Sequence, residues 1–184
     1  MSYLLATNPD IEDRLYNEVS AAMGADGEID YDRLHSLTYL DACISETLRL
    51  FPPVPRLDRE CNTDMKLGDS QIRLQKGQIA EILVYAMHHN PDYFPDPSHY
   101  RPDRFLPDNK HLIIPYSYMP FGNGPRNCIG MRFALMEIKL AMAHMLTRFK
   151  FTMVDKTAKT LTYKPMTPVL AANSLTVGIE KRIL

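Results

Sequence analysis

Apolar positions recur with a helical period towards both ends of this chain and lose it in the middle. After Asn8-Pro9, the residues Ile11, Leu15 and Val19 share one face, and Gly24 closes the stretch. Asn8 is placed to cap that helix and Pro9 suits its first position, while Asp10, Glu12 and Asp13 suit its positive end. Residues 22–30 read as a loop. A second helix is expected from about Thr38 to Leu50, with Leu40, Ile44, Leu48 and Phe51 on its apolar face. Pro52-Pro53 stops it, because proline cannot continue the hydrogen-bond ladder. Between 54 and 82 the short runs 65–67 and 71–74 flank Gly68-Asp69, and Gly77 breaks the next run, a pattern that predicts a small antiparallel sheet. Residues 84–90 read as a short helix. From 91 to 125 prolines and aromatics follow one another without a period, and so long a loop in a compact domain normally does a job. In IGMRFALMEIKLAMAHMLTRF, which starts at Ile129, apolar residues cover most of the helical surface and predict a largely buried helix. Segments 150–154, 161–163 and 175–179 read as terminal strands. The expected fold class is mainly α with small β-sheets (α+β).

Composition narrows the classes. The chain has 184 residues, 45% of them hydrophobic, which is enough for one core and a single domain over 1–184. Its 21 basic residues stand against 22 acidic ones. A nucleic-acid partner is therefore not expected, since phosphate contacts call for an excess of Lys and Arg. Cys43, Cys61 and Cys128 are odd in number and widely spaced, which argues against a secreted disulfide scaffold and for a reducing compartment. The opening MSYLLATNPD has no basic segment followed by a long apolar run, so it does not read as a signal peptide. No stretch reads as a membrane span, and the chain as given is expected to be soluble or at most peripheral.

Candidate chemistry concentrates in FGNGPRNCIG, residues 121–130. Cys128 stands just before the last helix, where backbone N–H groups and the helix dipole favour an anion and make a thiolate a ready metal ligand. Gly122, Gly124 and Gly130 permit tight turns and close approach of a flat ligand. Arg126 offers a fork of donors to a carboxylate. A lone cysteine is more often a small core residue. A redox-active thiol would want a resolving cysteine nearby, and zinc would want Cys or His pairs at ligand spacing. Elsewhere, Glu46 and Arg49 lie three apart on the second helix and face one another. Alone, such a pair is usually a solvated one. His88-His89 offers no metal site, because adjacent helical residues point apart and no third ligand accompanies them.

The full pattern decides among the cysteine readings. Phe121, Gly124, Arg126, Cys128 and Gly130 occupy every fixed position of Phe-x-x-Gly-x-Arg-x-Cys-x-Gly, the haem loop of the cytochrome P-450 family. Glu46 and Arg49, followed by Phe51, Pro52 and Pro53, resemble that family's Glu-x-x-Arg motif. Pro102-Asp103-Arg104-Phe105 resembles its Pro-Glu-Arg-Phe segment, with Asp in place of Glu. The motifs stand in the family's order, and the resemblance covers nearly the whole chain. RLDREC, residues 56–61, is most similar to the microsomal clan that contains drug-metabolising enzymes.

The resemblance implies a haem-thiolate monooxygenase that inserts one oxygen atom of O₂ into a lipophilic organic substrate. Cys128 would be its catalytic thiolate, ligating the iron of haem b (iron protoporphyrin IX) and feeding electron density to it. Phe121, Gly122 and Gly130 would shape the loop around the haem, with Arg126 and Arg59 on its propionates; a solvated strand residue explains Arg59 equally well. Glu46, Arg49 and Arg104 would form a buried lock that organises the long loop. Val54, Arg56, Leu57, Met166 and Val169 lie where the family places substrate contacts, although core packing explains such apolar residues too. Electrons would come from NADPH through a flavoprotein reductase. Arg132, Lys139 and Arg148 suit a basic surface for that partner as well as they suit a solvated helix face.

The likeness begins at the family's J helix, with Ser2–Thr7 similar to the last turns of its I helix. It therefore implies a partial domain, with the membrane anchor and the proton-delivering acid–alcohol pair outside this chain. The isolated chain is expected to be catalytically inactive, to bind haem weakly, and to aggregate through exposed apolar surface. Membrane association at the cytosolic face of the endoplasmic reticulum would run only through that anchor. The rival readings are a truncated non-catalytic product and an isolated haem-binding module.

Overall fold

The computed structural model describes residues 1–165 and 167–182. Helix α1, Ser2–Thr7, is followed at once by α2, Pro9–Ala22. Asn8 does not cap α2 with its side chain. Instead its Nδ2 donates backwards to Leu4 O at 2.8 Å, closing the end of α1, and proline at the first position of α2 leaves one fewer N–H to satisfy. The acidic residues at the start of α2 are also used in tertiary contacts. Glu12 is fully buried and accepts from Phe151 N at 2.8 Å, while Asp13 pairs with Lys150 at 3.1 Å.

Helix α3, Tyr31–Ser36, lies where the apolar pattern assigns no element. Its only local signal is Asp30, whose carboxylate accepts from Arg33 N at 2.9 Å as an N-cap. Helix α4, Thr38–Leu50, has the expected bounds, but it starts after Leu37, whose side chain has no oxygen to offer as a cap. Glu18 of α2 supplies it from across the fold, accepting from Tyr39 N at 2.8 Å and Leu40 N at 2.9 Å. A carboxylate there meets both the free donors and the positive end of the dipole. Replacing Glu18 with alanine is expected to lower stability by about 1 kcal/mol, the usual worth of a cap. In urea the midpoint should fall while the slope stays constant; an unmoved midpoint would mean that water serves these amides equally well.

The expected sheet is two ribbons. Strand β1, Leu57–Glu60, pairs antiparallel with β4, Ile79–Ile82, and the hairpin of β2, Met65–Lys66, with β3, Arg73–Leu74, is inserted between them. Helix α5, Val84–His88, stops short of residue 90, as the residue before Pro91 is pushed away from helical torsions. Residues 91–130 are irregular apart from three short 3-10 turns, Pro102–Phe105, Lys110–Leu112 and Gly124–Arg126. Helix α6, Met131–Arg148, leads into β5, Phe149–Thr152, which pairs antiparallel with β6, Gly178–Lys181. The strand expected at 161–163 reduces to a single bridge between Tyr163 and Ala172. The last strand starts later than the apolar run suggests, because its register sets Gly178 opposite Thr152.

The core joins α1, α2, α4, α6 and β5 through Leu5, Leu15, Val19, Leu40, Ile44, Ala143, Leu146 and Phe151. A second cluster, Ala42, Phe94 and Phe105, lies under the long loop. Helix α6 is not largely buried. Among the described residues its packed side is Lys139, Met142, Ala143 and Leu146, whereas Phe133 is 75% exposed, Leu140 44%, and Ile129 just before the helix wholly so. A helix apolar all round has met packing partners on one side only. Lys139 is also no surface cation: its Nζ lies 2.6 Å from Asp41 at the start of α4.

Candidate functional site

Two of the residues singled out in the sequence form the most buried ion pair among the described residues. Glu46 and Arg49, one turn apart on α4, have no exposed surface. Arg49 Nε donates to Glu46 Oε2 at 2.7 Å and Nη2 to Oε1 at 2.8 Å, a bidentate arrangement. Arg49 Nη1 donates to His88 O at 2.8 Å, and Nη2 also reaches His99 O at 3.3 Å. Glu46 Oε1 accepts from Arg101 N at 3.0 Å. Burying such a pair is tolerable only when its remaining donors and acceptors are met, and here the backbone at the end of α5 and in the irregular segment meets them.

Arg104 approaches the same carboxylate from the Pro102–Phe105 turn. Its Nε lies 3.4 Å from Glu46 Oε1, close enough for attraction but too poorly aligned for a hydrogen bond. Its Nη2 donates to Pro95 O and Asp96 O. Burial pushes its pKa below the ordinary arginine value, opposed by Glu46. The Asp that replaces the family's Glu, Asp103, takes no part in this and pairs at the surface with Arg14 of α2 at 2.8 Å.

The sequence reading missed two residues that join this pair to the cysteine loop. His88, at the end of α5, is fully buried. Its Nδ1 lies 3.1 Å from Arg49 O and its Nε2 accepts from Met119 N at 2.9 Å. Tyr118 stacks on the His88 ring and donates its hydroxyl to Ser45 O of α4 at 3.0 Å. Burial pushes the Tyr118 pKa up and drives that of His88 down to about 4, with the Arg49 charge adding to the depression. His88 carries no sequence signal beyond being one of two adjacent histidines, and its role appears only when α4, α5 and the long loop meet.

From Met119 the chain turns into the loop that carries Cys128. Gly122 N donates to Met119 O at 3.1 Å, and Cys128 N closes the loop on Phe121 O at 2.9 Å. Gly122 and Gly124 have φ near +75° and +77°, torsions that residues with a Cβ rarely adopt. Half-buried Phe121 packs on the main core, whereas Cys128 is exposed. Strand β1 runs beside the loop: a Cβ on Gly122 would meet Leu57 at 3.6 Å. By the alternation of a strand, Arg59 falls on the same face as Leu57. Its Nη1 donates only to Asp58 O, and among the described residues neither Arg59 nor Arg126 pairs with a carboxylate.

The candidate substrate segments also meet. Leu170 N donates to Pro53 O at 2.9 Å, which ties the two segments together by their backbones, and Val169 is half-exposed. Arg56 turns away into surface pairs with Glu81 and Asp58. Met166 lies outside the described residues.

Comparison with known proteins points in one direction. Residues 1–178 match the sequence model described as Cytochrome P450. Cytochrome P450 9e2 of Blattella germanica is 47% identical over 159 residues, which are 85% of this chain and 30% of the relative. Cytochrome P450 3A9 of Rattus norvegicus is 46% identical over 149 residues, 81% of this chain and 29% of the relative. Cytochrome P450 3A19 of Capra hircus aegagrus is 44% identical over 149 residues, 81% of this chain and 67% of the relative. The chain thus spans about three-tenths of the length of the first two. With its family model matched from the first residue to the start of the last strand, this chain belongs to the cytochrome P450 family.

Proposed function

We propose that residues 1–184 form one partial domain of a haem-thiolate monooxygenase, the part that would grip the haem, with Cys128 as the residue whose thiolate would hold its iron. The observation that carries the reading is the loop itself. It closes on its own backbone, it is fastened to a buried ion pair through His88, and it presents the thiol outward. The residues around it suit a flat apolar group bearing carboxylates. Ile129 and Phe133, which follow the cysteine closely in the chain, are exposed, and among the described residues Arg126 and Arg59 have no carboxylate partner. Gly124 and Gly130 leave open space where a side chain would stand.

Each residue then has a task. Cys128 would give the thiolate, Phe121, Gly122 and Gly130 would shape the loop, and Arg126 and Arg59 would hold the propionates. Haem, when bound, supplies the oxygen-activating redox chemistry. Glu46, Arg49 and Arg104 keep the loop's base from shifting. The segments about Val54, Leu57 and Val169 would contribute to one wall of a site for a lipophilic substrate. Reduction by an NADPH-linked flavoprotein and attachment to the endoplasmic reticulum belong to the same proposal, and rest on the resemblance to microsomal relatives. Among the described residues no helix is long and apolar enough to cross a membrane.

The test is spectroscopic. The chain loaded with haem, reduced and treated with CO should show the red-shifted Soret band of thiolate ligation, and Cys128→Ser should abolish it. Because Cys128 is exposed, the substitution should leave thermal stability within about 0.5 kcal/mol. Identical spectra for the two proteins would remove Cys128 from the iron. Stoichiometric uptake by a folded monomer would favour an isolated haem-binding module instead.

A further inference from the structure

His88 takes no part in the chemistry proposed above, yet its side chain is fully enclosed. Its ring is stacked on Tyr118, with centroids 5.3 Å apart, and meets Phe94 edge-on at 6.3 Å. Both ring nitrogens have partners whose chemistry admits one protonation state. Arg49 O, 3.1 Å from Nδ1, only accepts, so Nδ1 carries the hydrogen. Met119 N, 2.9 Å from Nε2, only donates, so Nε2 is bare. The other tautomer, or the imidazolium, would set two donors against each other at Met119.

The two bonded partners belong to different parts of the site. Arg49 forms the buried pair with Glu46, and its guanidinium returns a bond to His88 O at 2.8 Å. Met119 accepts on its own carbonyl from Gly122, the second residue of the cysteine loop. One imidazole therefore spans the gap between the ion pair and the loop.

We propose that His88, held as the Nδ1–H tautomer, is the positioning residue that sets the cysteine loop against the Glu46–Arg49 pair. The purpose of this link rests on the haem-loop reading; its geometry does not. It also explains why a buried histidine sits unprotonated on a residue whose own carbonyl receives a buried guanidinium. Its job is to accept at Nε2, which only the neutral ring does.

Nitrogen-15 NMR of the whole 184-residue chain near neutral pH reads the tautomer without any substitution. A protonated Nδ1 with a bare Nε2 is expected, and the reverse assignment would overturn the proposal. Two variants then separate positioning from filling space. In His88→Asn the amide keeps a donor near the place of Nδ1 but has no acceptor at Nε2. In His88→Gln the side-chain oxygen reaches the Nε2 place. Amide exchange of Met119 and of residues 121–128 should quicken about tenfold in the asparagine variant, the equivalent of one lost hydrogen bond. It should return most of the way in the glutamine variant. The amides of Leu15, Val19 and Leu40 in the core should keep their rates in both. Equal exchange in the two variants, or loosening spread evenly through the core, would leave His88 a packing residue. Cys128→Ser should not change these rates, so a failed haem reading and a failed His88 reading give different results.

Discussion

Replacing Arg49 with alanine is expected to destabilise the chain by about 3–5 kcal/mol, the usual cost of stranding one member of a buried ion pair. Glu46 would remain without exposure and keep only Arg101 N and the misaligned Arg104 beside it. The loss would also free His88 O and His99 O, both of which Arg49 now satisfies. The backbone over residues 88–101 should therefore loosen along with α4. Removing Glu46 alone should cost a similar amount, because Arg49 and Arg104 would then repel in a site with no anion. The double variant Glu46→Ala/Arg49→Ala should cost clearly less than the two single losses together, since no charge of the pair remains to be stranded. Urea unfolding of the three variants measures the coupling. Strict additivity would mean that the pair is not a unit. Arg49→Lys should rescue little, as a point ammonium cannot make the forked contact and reach two carbonyls as well.

The second large effect is acid lability centred on His88. Its pKa is depressed from 6.5 to about 4 in the folded chain. Between those values the unfolded chain takes up a proton that the folded chain refuses, so stability falls as the pH falls through this window. The contribution is fully present above pH 6.5 and gone below about 4, and its full size is roughly 3 kcal/mol. The groups facing the ring enforce the direction: Arg49 on α4, His89 next along α5, the apolar Phe94 and Tyr118 rings, and the donor at Met119 N. Glu12 works the other way, since burial raises its pKa and favours the folded state as acid is added. The difference between the parent chain and His88→Gln cancels that opposing contribution. A pH-independent difference between pH 7 and 4 would show that His88 titrates normally.

Much of the fold was legible from local rules. The apolar period from Ile11 to Val19 and from Leu40 to Leu48 located α2 and α4, and Pro52-Pro53 located the end of α4. These signals survive because each helix buries one face and needs no distant partner to define it. Two failed expectations and one unseen contact share the opposite cause. Asn8 was assigned the next helix's start and instead closes the previous one, a choice set by which backbone group lies within reach. The capping of α4 was invisible because its oxygen comes from Glu18, distant in sequence. Helix α6 was expected to be buried because its residues are apolar, yet exposure depends on what packs against it.

The motifs divide in the same way. The sequence by itself determined the family and the residues worth examining, since side-chain chemistry at fixed spacing is carried by the chain and needs no folding to be read. Phe121, Gly124, Arg126, Cys128 and Gly130 form such a pattern, and so do Glu46 and Arg49. Only the tertiary structure decided that the Glu46–Arg49 pair is dry rather than solvated, because burial depends on the loop laid over it. Only it joined the pair to the cysteine loop, through a histidine whose neighbours in the sequence say nothing of its partners in space. A hydrogen bond to a backbone amide is indifferent to that amide's residue type, so the link between His88 and Met119 leaves no mark in the sequence and exists only once the chain has folded.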